Sequence, residues 1–371
     1  MKIRLEIRDK TFAIVNILDN EYLDLNWSYS RIGGCGEFSF RLPRKIFEER
    51  AITGEYNVRI YYRNPSTNAY DLRYQGLIEN KSPNVRGNTE TIDFSGHGYI
   101  SQLSRVYVNT TYTSTEVSVI VKNILDTYVT PNTNISYDVG DLEATSFTPS
   151  SIEFNTNAMS AMQTLADLVG TREWGVDKSR NFFFKARSLI PQIFFPIGHK
   201  ITDYSESLDF KEIKNRVYVQ GAQVGGTYHF FGPYNDTGSQ VKYNRRDYVT
   251  QNSSITVSAV AQQFATSIID EFKEVSVKAN FSLVNYESEL EATIPIPIVN
   301  ILIKQDKYGE KKFGEGLYSG LVDFHTNRIN YTLSNNNSLK VDVDLGKPRP
   351  TLSEEIAQIS YELEQARNAS L

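Results

Sequence analysis

The sequence predicts a mainly β protein of the α+β class, in which two related β-barrel domains flank an inserted α/β module and a C-terminal helix follows. Tyrosine (23) and phenylalanine (20) far outnumber methionine (3), a bias typical of pleated sheets. Apolar and polar residues alternate along most of the 371 residues, which indicates strands. Helical spacing interrupts this pattern in the second hundred residues. The chain is long enough for two or three domains.

The predicted domains follow these changes of pattern. The first barrel covers residues 1–100, the inserted α/β module 101–205, and the second barrel, with one helix, 206–346. The second barrel and the module are allowed to interleave along the chain. A linker and an amphipathic helix make up residues 347–371.

Three helices are predicted from apolar residues spaced three and four apart. The first begins after Ser114 or Thr115, and the second runs from Thr156 or Asn157 to a stop at Gly170. The third covers residues 258–273, in the second barrel. A glycine-rich loop is expected at 221–238.

The last residues carry a coiled-coil spacing. Its seam is formed by Leu352, Ile356, Ile359, Leu363 and Ala366. An isolated helix of this length is marginal in water. Burying four large apolar side chains contributes roughly 6–12 kcal/mol at about 1.5–3 kcal/mol each. We therefore expect this helix to be stable only when docked, either on its own chain or on a partner.

The two β-rich stretches resemble each other in layout. Segments 58–62, 74–78 and 91–94 recur at a nearly constant offset as 299–303, 318–322 and 341–344, with a shared Tyr-x-Gly step. Two unrelated β-meanders would give a similar layout by chance. A true duplication would supply the two related barrels.

Several classes of site are disfavoured by composition and spacing. The single cysteine, Cys35, excludes a disulfide framework, and no two of the four histidines have a metal-binding spacing. The net charge of −5 argues against a nucleic-acid-gripping protein. Residues 33–36 lack the ending of a phosphate-binding loop, and Trp174 is expected in the core rather than as a sugar platform. We predict no catalytic residue, metal or cofactor.

The N-terminus has no secretory signal pattern. The longest apolar stretch, 294–303, is broken by prolines and is too short to span a bilayer. We expect a soluble protein made in a reducing compartment, without a membrane anchor.

One acidic pattern has two interpretations. Glu287, Glu289 and Glu291 alternate, so on a strand their side chains point to the same side. They would either line a lumen and repel DNA phosphates or form an ordinary solvated face.

Four segments carry a resemblance to a known family. They are residues 33–43, of the Gly-x-x-x-Phe-x-x-x-Leu-Pro kind, residues 161–185, residues 213–221, and the closing residues 345–350. In order and spacing the chain resembles the baseplate hub proteins of tailed bacteriophages. It is similar to the hub of contractile phages and to the N-terminal part of the tail-associated protein of long non-contractile phages.

The resemblance implies a structural, non-enzymatic homotrimer in the virion, assembled in the host cytoplasm. Its six barrels would match a sixfold tail tube or distal tail ring on one face and a threefold spike or fibre on the other. Its channel would pass the tape-measure protein and then DNA, without specific binding. The alternative function is a soluble carbohydrate-binding or carbohydrate-active β protein that uses surface tyrosines.

Overall fold

The computed structural model describes most of the chain. The described residues are 3–19, 21–50, 52, 56–64, 67–86, 89–170, 172–186, 191–196, 201–224, 227–284, 300–304, 322–324, 326–334 and 338–346. Antiparallel sheet dominates this part, and helices are few. The mainly β class predicted from the sequence is therefore confirmed.

Twenty-two strands are found in the described residues. They are β1 (Ile3–Arg8), β2 (Ile14–Leu18), β3 (Leu23–Ser30), β4 (Gly33–Pro43), β5 (Asn57–Arg63), β6 (Tyr70–Arg86), β7 (Thr89–Gly98), β8 (Tyr107–Thr113), β9 (Ser136–Leu142), β10 (Ser151–Asn157), β11 (Arg172–Val176), β12 (Asn181–Ala186), β13 (Pro191–Pro196), β14 (Ile201–Asp209), β15 (Arg216–Val224), β16 (Thr227–Asn235), β17 (Asp247–Gln251), β18 (Ser276–Val284), β19 (Asn300–Lys304), β20 (Val322–Phe324), β21 (Thr326–Leu333) and β22 (Leu339–Gly346).

The helices are fewer and mostly short. They are α1 (Arg44–Arg50), α2 (Val117–Ile124), α3 (Ala158–Val169), α4 (Thr237–Tyr243) and α5 (Ser258–Phe272), with a 3₁₀ helix at Tyr99–Arg105 and a π turn at Leu125–Val129 that continues α2.

One large sheet joins the first strands of the chain with the last strands described. Its strand order is β14-β18-β22-β21-β3-β4-β7-β6-β5-β1-β2, and each pairing along this path is antiparallel. We call it the main sheet. At its centre β21 pairs with β3, so that Tyr331 stacks on Trp27 with ring centroids 5.0 Å apart. Buried residues from 3–94 and 279–345 form one hydrophobic cluster, the sheet core.

A second cluster, the module core, is built from residues 99–269. Helices α2, α3 and α5 lie in it, together with Trp174 and two valines of β15. Asn157 caps α3 by accepting a hydrogen bond from the Ser160 amide, and Gly170 ends it at φ 75°. Both ends of α3 are as predicted, because each end has a residue type suited to that backbone position.

Two local predictions are wrong. Helix α2 is capped by Glu116, not by Ser114 or Thr115, because the Glu116 carboxylate accepts from the Val119 amide and from the Thr145 amide at 2.7 Å. The expected loop 221–238 contains strand β16 and the start of α4. In that stretch the β-forming aromatic run outweighs the glycines. The short helix α1 and the strand β2 were not predicted.

The described strands close no barrel. Strands β18, β21 and β22, from the predicted second barrel, join the main sheet, while α5 lies in the module core. The internal repeat stays a prediction, because most of its segment 318–322 lies outside the described residues and the two strand pairs differ in register, with Ile60 opposite Tyr74 but Ile301 opposite Phe324. Its third strands differ, because β7 pairs with β6 whereas β22 pairs with β18 and β21. The two barrels and their boundaries stay a prediction.

Candidate functional site

The site residues predicted from the sequence fall in parts of the chain that are not described. Glu287, Glu289 and Glu291 lie outside the described residues, and so does the seam of Leu352, Ile356, Ile359, Leu363 and Ala366. Their roles stay predictions. The described residues instead offer a junction between the two cores, a polar groove and an exposed edge strand.

The junction is formed by a direct approach of two backbones. Strand β11 of the module runs parallel to the start of β4, with Gly175 opposite Gly33 and Val176 opposite Gly34. Gly34 has φ 75°, and a Cβ at this position would overlap the carbonyl oxygen of Val176. Only glycine combines this backbone conformation with this approach. The glycine run 33–36 therefore has a structural purpose, which the sequence analysis did not find.

A buried ion pair lies at the same junction. The Arg31 Nε atom is 3.4 Å from Glu173 Oε1, and the two residues are 1% and 2% exposed. The Arg31 amide donates to the carbonyl of Asn327 at 2.9 Å. Arg31 thus connects the β3–β4 turn with β11 and the start of β21. Sequence reasoning missed this pair, because nothing in the local pattern distinguishes a buried charge from an exposed one.

The hairpin between β11 and β12 adds further contacts to the main sheet. Gln75 Nε2 on β6 donates to the Lys178 carbonyl at 2.9 Å. The Arg180 guanidinium lies 4.2 Å from the ring centroid of Phe12. Burial lowers the pKa of Lys178 and raises that of Asp177. The module is therefore held to the sheet by backbone pairing, a buried ion pair and this hairpin.

A polar groove of about 430 Å³ crosses four strands of the main sheet. Its polar lining residues are Asn26, Ser28, Glu37, Ser39, Ser95, His97, Arg328, Asn330 and Thr332. Because side chains alternate between the two faces of a strand, these residues lie on the face opposite the sheet core. The groove is suited to hydrogen bonds and ion pairs with a polar partner.

His97 of the groove is paired with Glu79 and Arg105, which lie beside the groove lining. His97 Nδ1 lies 2.6 Å from Glu79 Oε2, and Arg105 approaches the other oxygen of Glu79 at 3.2 Å. The hydrogen bond that His97 donates to the Glu79 carboxylate raises the pKa of His97. Although burial alone would raise it, the pKa of Glu79 is lowered by His97 and Arg105. Arg328 and Glu37 form a second, looser pair at 3.5 Å.

Two residues weighed as chemical groups are buried. Cys35 is 1% exposed, and burial raises the pKa of its thiol, so the thiol stays protonated at neutral pH. Trp174 is 2% exposed and packs 6.2 Å from Phe182, centroid to centroid. The position of Trp174 confirms that it lies in the core, as expected.

The edge strand β2 is apolar and exposed. Among the described strands its ladder partner is β1, and no other described strand pairs with its second edge. Ile14, Val15 and Ile17 are 50%, 40% and 36% exposed. An edge strand of this kind is a template for contact with another chain. The sequence does contain a pattern that indicates β2, namely a polar turn at 9–11 followed by an apolar run.

Two searches for other kinds of site found nothing in the described residues. They contain no group of three or more histidine, cysteine, aspartate or glutamate residues placed to hold a metal ion. Within the same part of the chain, no helix has the length and apolar character needed to cross a membrane.

No family model matches the sequence, and no curated protein matches it either. Solved structures do match. The 43 kDa tail protein of prophage MuSo2 from Shewanella oneidensis is 11% identical, with a TM-score of 0.61 over 93% of this chain and 98% of that chain. A tail protein from Neisseria meningitidis MC58 is 10% identical, with a TM-score of 0.63 over 95% and 99%.

The prophage tail protein gp18 from Listeria monocytogenes EGD-e is 11% identical, with a TM-score of 0.54 over 98% of this chain and 100% of that chain. At such identities the likeness concerns the fold. It extends over nearly the full length of all three proteins. The predicted resemblance is therefore confirmed for the fold: over nearly its whole length this chain is similar to phage tail proteins.

Proposed function

We propose that this chain is a structural, non-enzymatic hub protein of a phage baseplate or tail tip, located in the virion and working as a homotrimer. The observation that carries the proposal is the length of the fold match. Three tail proteins are matched over 93–98% of this chain and 98–100% of theirs. The shared feature is thus the whole arrangement of sheet and module rather than one common motif.

The proposed mechanism is geometric. Two related barrels in each of three chains would present six similar units to a sixfold tail tube or distal tail ring. The opposite face would keep threefold symmetry for a central spike or fibre. The lumen would pass the tape-measure protein and DNA, and the Glu287, Glu289 and Glu291 carboxylates would face it, since like charges repel phosphates.

The exposed edge strand β2 supports the proposal, because it offers a surface for contact between subunits. Three apolar side chains of this edge strand are at least one-third exposed. The backbone N–H and C=O groups along the outer side of an edge strand can form hydrogen bonds with a strand of another chain. Apolar side chains on such a strand stabilise the contact further when it buries them. We therefore include β2 among the contacts that hold the ring together.

The test is the native mass, measured by light scattering after gel filtration, together with electron microscopy. We expect three times 42.2 kDa and ring-shaped particles. The variant Val15→Lys should shift the mass toward the monomer, because it places a charge on the proposed contact. Its matched control is Val119→Lys, on an exposed position of α2 that is 48% exposed in the folded chain.

A strict monomer at all concentrations, with no ring formed on adding purified tail-tube protein, would contradict the trimeric hub. A trimer that Val15→Lys leaves intact would remove β2 from the contacts while keeping the ring.

The carbohydrate alternative depends on exposed tyrosines. Six tyrosines are buried, namely Tyr22, Tyr29, Tyr62, Tyr74, Tyr99 and Tyr331, whereas Tyr107 and Tyr228 are 59% and 36% exposed. A glycan-binding screen tests this alternative, and a specific hit would favour it over the structural hub.

A further inference from the structure

The three-stranded sheet β16-β15-β17 has two unlike faces. On the inner face, Val217 and Val219 are fully buried in the module core, where α5 also lies. Phe230 and Val249 are 65% and 59% exposed. The sheet is mixed, since β15 pairs antiparallel with β16 and parallel with β17. A sheet with one buried face usually presents polar side chains to water on the other face, so two large apolar residues there are unusual.

The strand register places these residues on one face. Tyr218 of β15 lies opposite Val249 of β17, and Gln220 lies opposite Phe230 of β16. Tyr218 and Gln220 are two apart on one strand, so both point away from the buried valines. We call Tyr218, Phe230 and Val249 the outer patch.

The described chain ends close to this sheet. Its last residue, Gly346, pairs in register with Lys278, and Lys278 Nζ lies 2.5 Å from Glu212, four residues before β15 begins. The Lys214 amide also donates to the carbonyl of Phe272, at the end of α5. Gly346 is therefore connected, through Lys278 and Glu212, to the end of the sheet where β15 and β17 begin.

The length of the remaining segment suits the patch. Residues 347–350 contain two prolines, and an extended proline-rich linker spans about 3.1 Å per residue. The 20-residue helix predicted after it would be about 30 Å long. The nine residues of β15 span a similar length, about 30 Å.

The charges are complementary as well. Arg216, Arg245 and Arg246 stand where β15 and β17 begin, and both Arg216 and Arg245 share Asp247, at 3.8 and 2.5 Å. The C-terminal segment is acidic beside its apolar seam, with four glutamates and one arginine at 354, 355, 362, 364 and 367. The linker itself carries Lys347 and Arg349, and the first glutamates after it are Glu354 and Glu355, at the start of the predicted helix. These two carboxylates are the ones that would meet the arginines.

From these observations we propose that residues 352–366 dock on the outer patch of the same chain, with the apolar seam against Tyr218, Phe230 and Val249. The proposal does not depend on the function proposed above. Docking would bury the outer patch between the sheet and the helix. It would also bury the apolar seam, which the predicted helix needs in order to be stable.

Disulfide trapping tests the proposal with the full-length chain. The only natural cysteine is buried, so Val249→Cys combined with Ile359→Cys introduces the reactive thiols. Mild oxidation should give an intrachain disulfide, seen by mass spectrometry and as a single-chain band on a non-reducing gel. The control pair, Val139→Cys with Ile359→Cys, uses a valine on β9 that is 70% exposed and should give none.

Two outcomes of trapping would overturn the proposal. A disulfide between chains would show that the patch takes the segment of a second copy. Absence of any disulfide with Val249→Cys, and equally with Phe230→Cys, would show that the patch binds another partner or none.

A protease assay gives an independent readout. A glutamate-specific protease has four sites in the segment, and docking should protect them. Phe230→Asp should speed cleavage there about tenfold, since a docked segment is cut only when it opens. The matched variant Val139→Asp should leave the rate unchanged. Equal cleavage in the wild type and in Phe230→Asp, with native tryptophan fluorescence in both, would contradict docking on the patch.

Discussion

The main sheet holds charged side chains in two opposite settings. At the junction with the module, Arg31 and Glu173 are 1% and 2% exposed, beside backbones that approach through glycines. In the groove, the side chains of His97 and Glu79 are 27% and 20% exposed, and Arg105 next to them is 55% exposed. Water and ions thus reach the groove charges but not the junction charges.

The difference in solvent exposure indicates that the junction and the groove have different roles. A buried ion pair is costly to break because the remaining charge has no solvent, so the junction fixes how the module sits on the sheet. Partly solvated pairs contribute little to stability and respond to pH and salt. The groove is therefore the part of the sheet where a partner can compete for hydrogen bonds without unfolding the chain.

The largest effect is expected from breaking the buried pair. Glu173→Ala leaves the Arg31 charge buried without its carboxylate, which should cost about 3–5 kcal/mol of unfolding free energy. Urea unfolding followed by tryptophan fluorescence measures this loss. The chain has two tryptophans, Trp27 in the sheet core and Trp174 in the module core, so Trp27→Phe or Trp174→Phe backgrounds report one core each.

Two controls isolate the buried charge. Glu153→Ala removes an exposed glutamate of β10 and should change stability little. The double variant Arg31→Met/Glu173→Met should regain a large part of the loss, because apolar replacement of a buried pair is often tolerated. A Glu173→Ala protein as stable as the wild type would show that the pair does not hold the junction.

The second effect comes from the backbone approach. Gly34→Ala combines a positive φ with overlap on the Val176 carbonyl, so we expect a loss of about 2–5 kcal/mol. Gly140→Ala is the matched control, since a Cβ there meets no atom within 4 Å. If both substitutions had equal effects on the midpoint of urea unfolding, the glycine run would not be required for the junction.

Sequence reasoning found the elements that local chemistry defines. Helix α3 was predicted at both ends because Asn157 and Gly170 have residue-specific backbone roles. Helix α5 was predicted from apolar spacing alone. The class of the fold followed from the alternating pattern and the aromatic composition.

The same reasoning could not place features that depend on distant pairing. Strands β21 and β3 lie about 300 residues apart in the chain yet are neighbours in the sheet, and no local pattern specifies that contact. For the same reason Arg31 and Glu173 could not be recognised as partners. The glycines at 33 and 34 were compared with a phosphate-binding loop and counted in the family resemblance, but the sequence did not show that they allow the close approach of β11.

The smallest effect is expected in the groove and depends on pH. The raised pKa of His97 means that the fold favours its charged form. This contribution is complete below the pKa of an unfolded histidine, about 6.5, and is lost as the pH rises through the folded value. The lowered pKa of Glu79 acts at the other end, with a contribution complete above about 4.3 and lost as the pH falls through the folded value.

The His97–Glu79 pair should therefore stabilise the fold most between pH values of about 4.3 and 6.5. We expect His97→Ala to cost about 0.5–1 kcal/mol near pH 6 and less near pH 8.5, since a partly solvated pair is a weak one. In a Glu79→Gln background this pH dependence should shrink, although Glu37, 3.9 Å from the histidine ring, retains a small part of it. A cost of His97→Ala that is equal at both pH values would mean that the imidazole acts in the groove through packing rather than charge. The distinction between a buried junction and an adjustable groove would then fail.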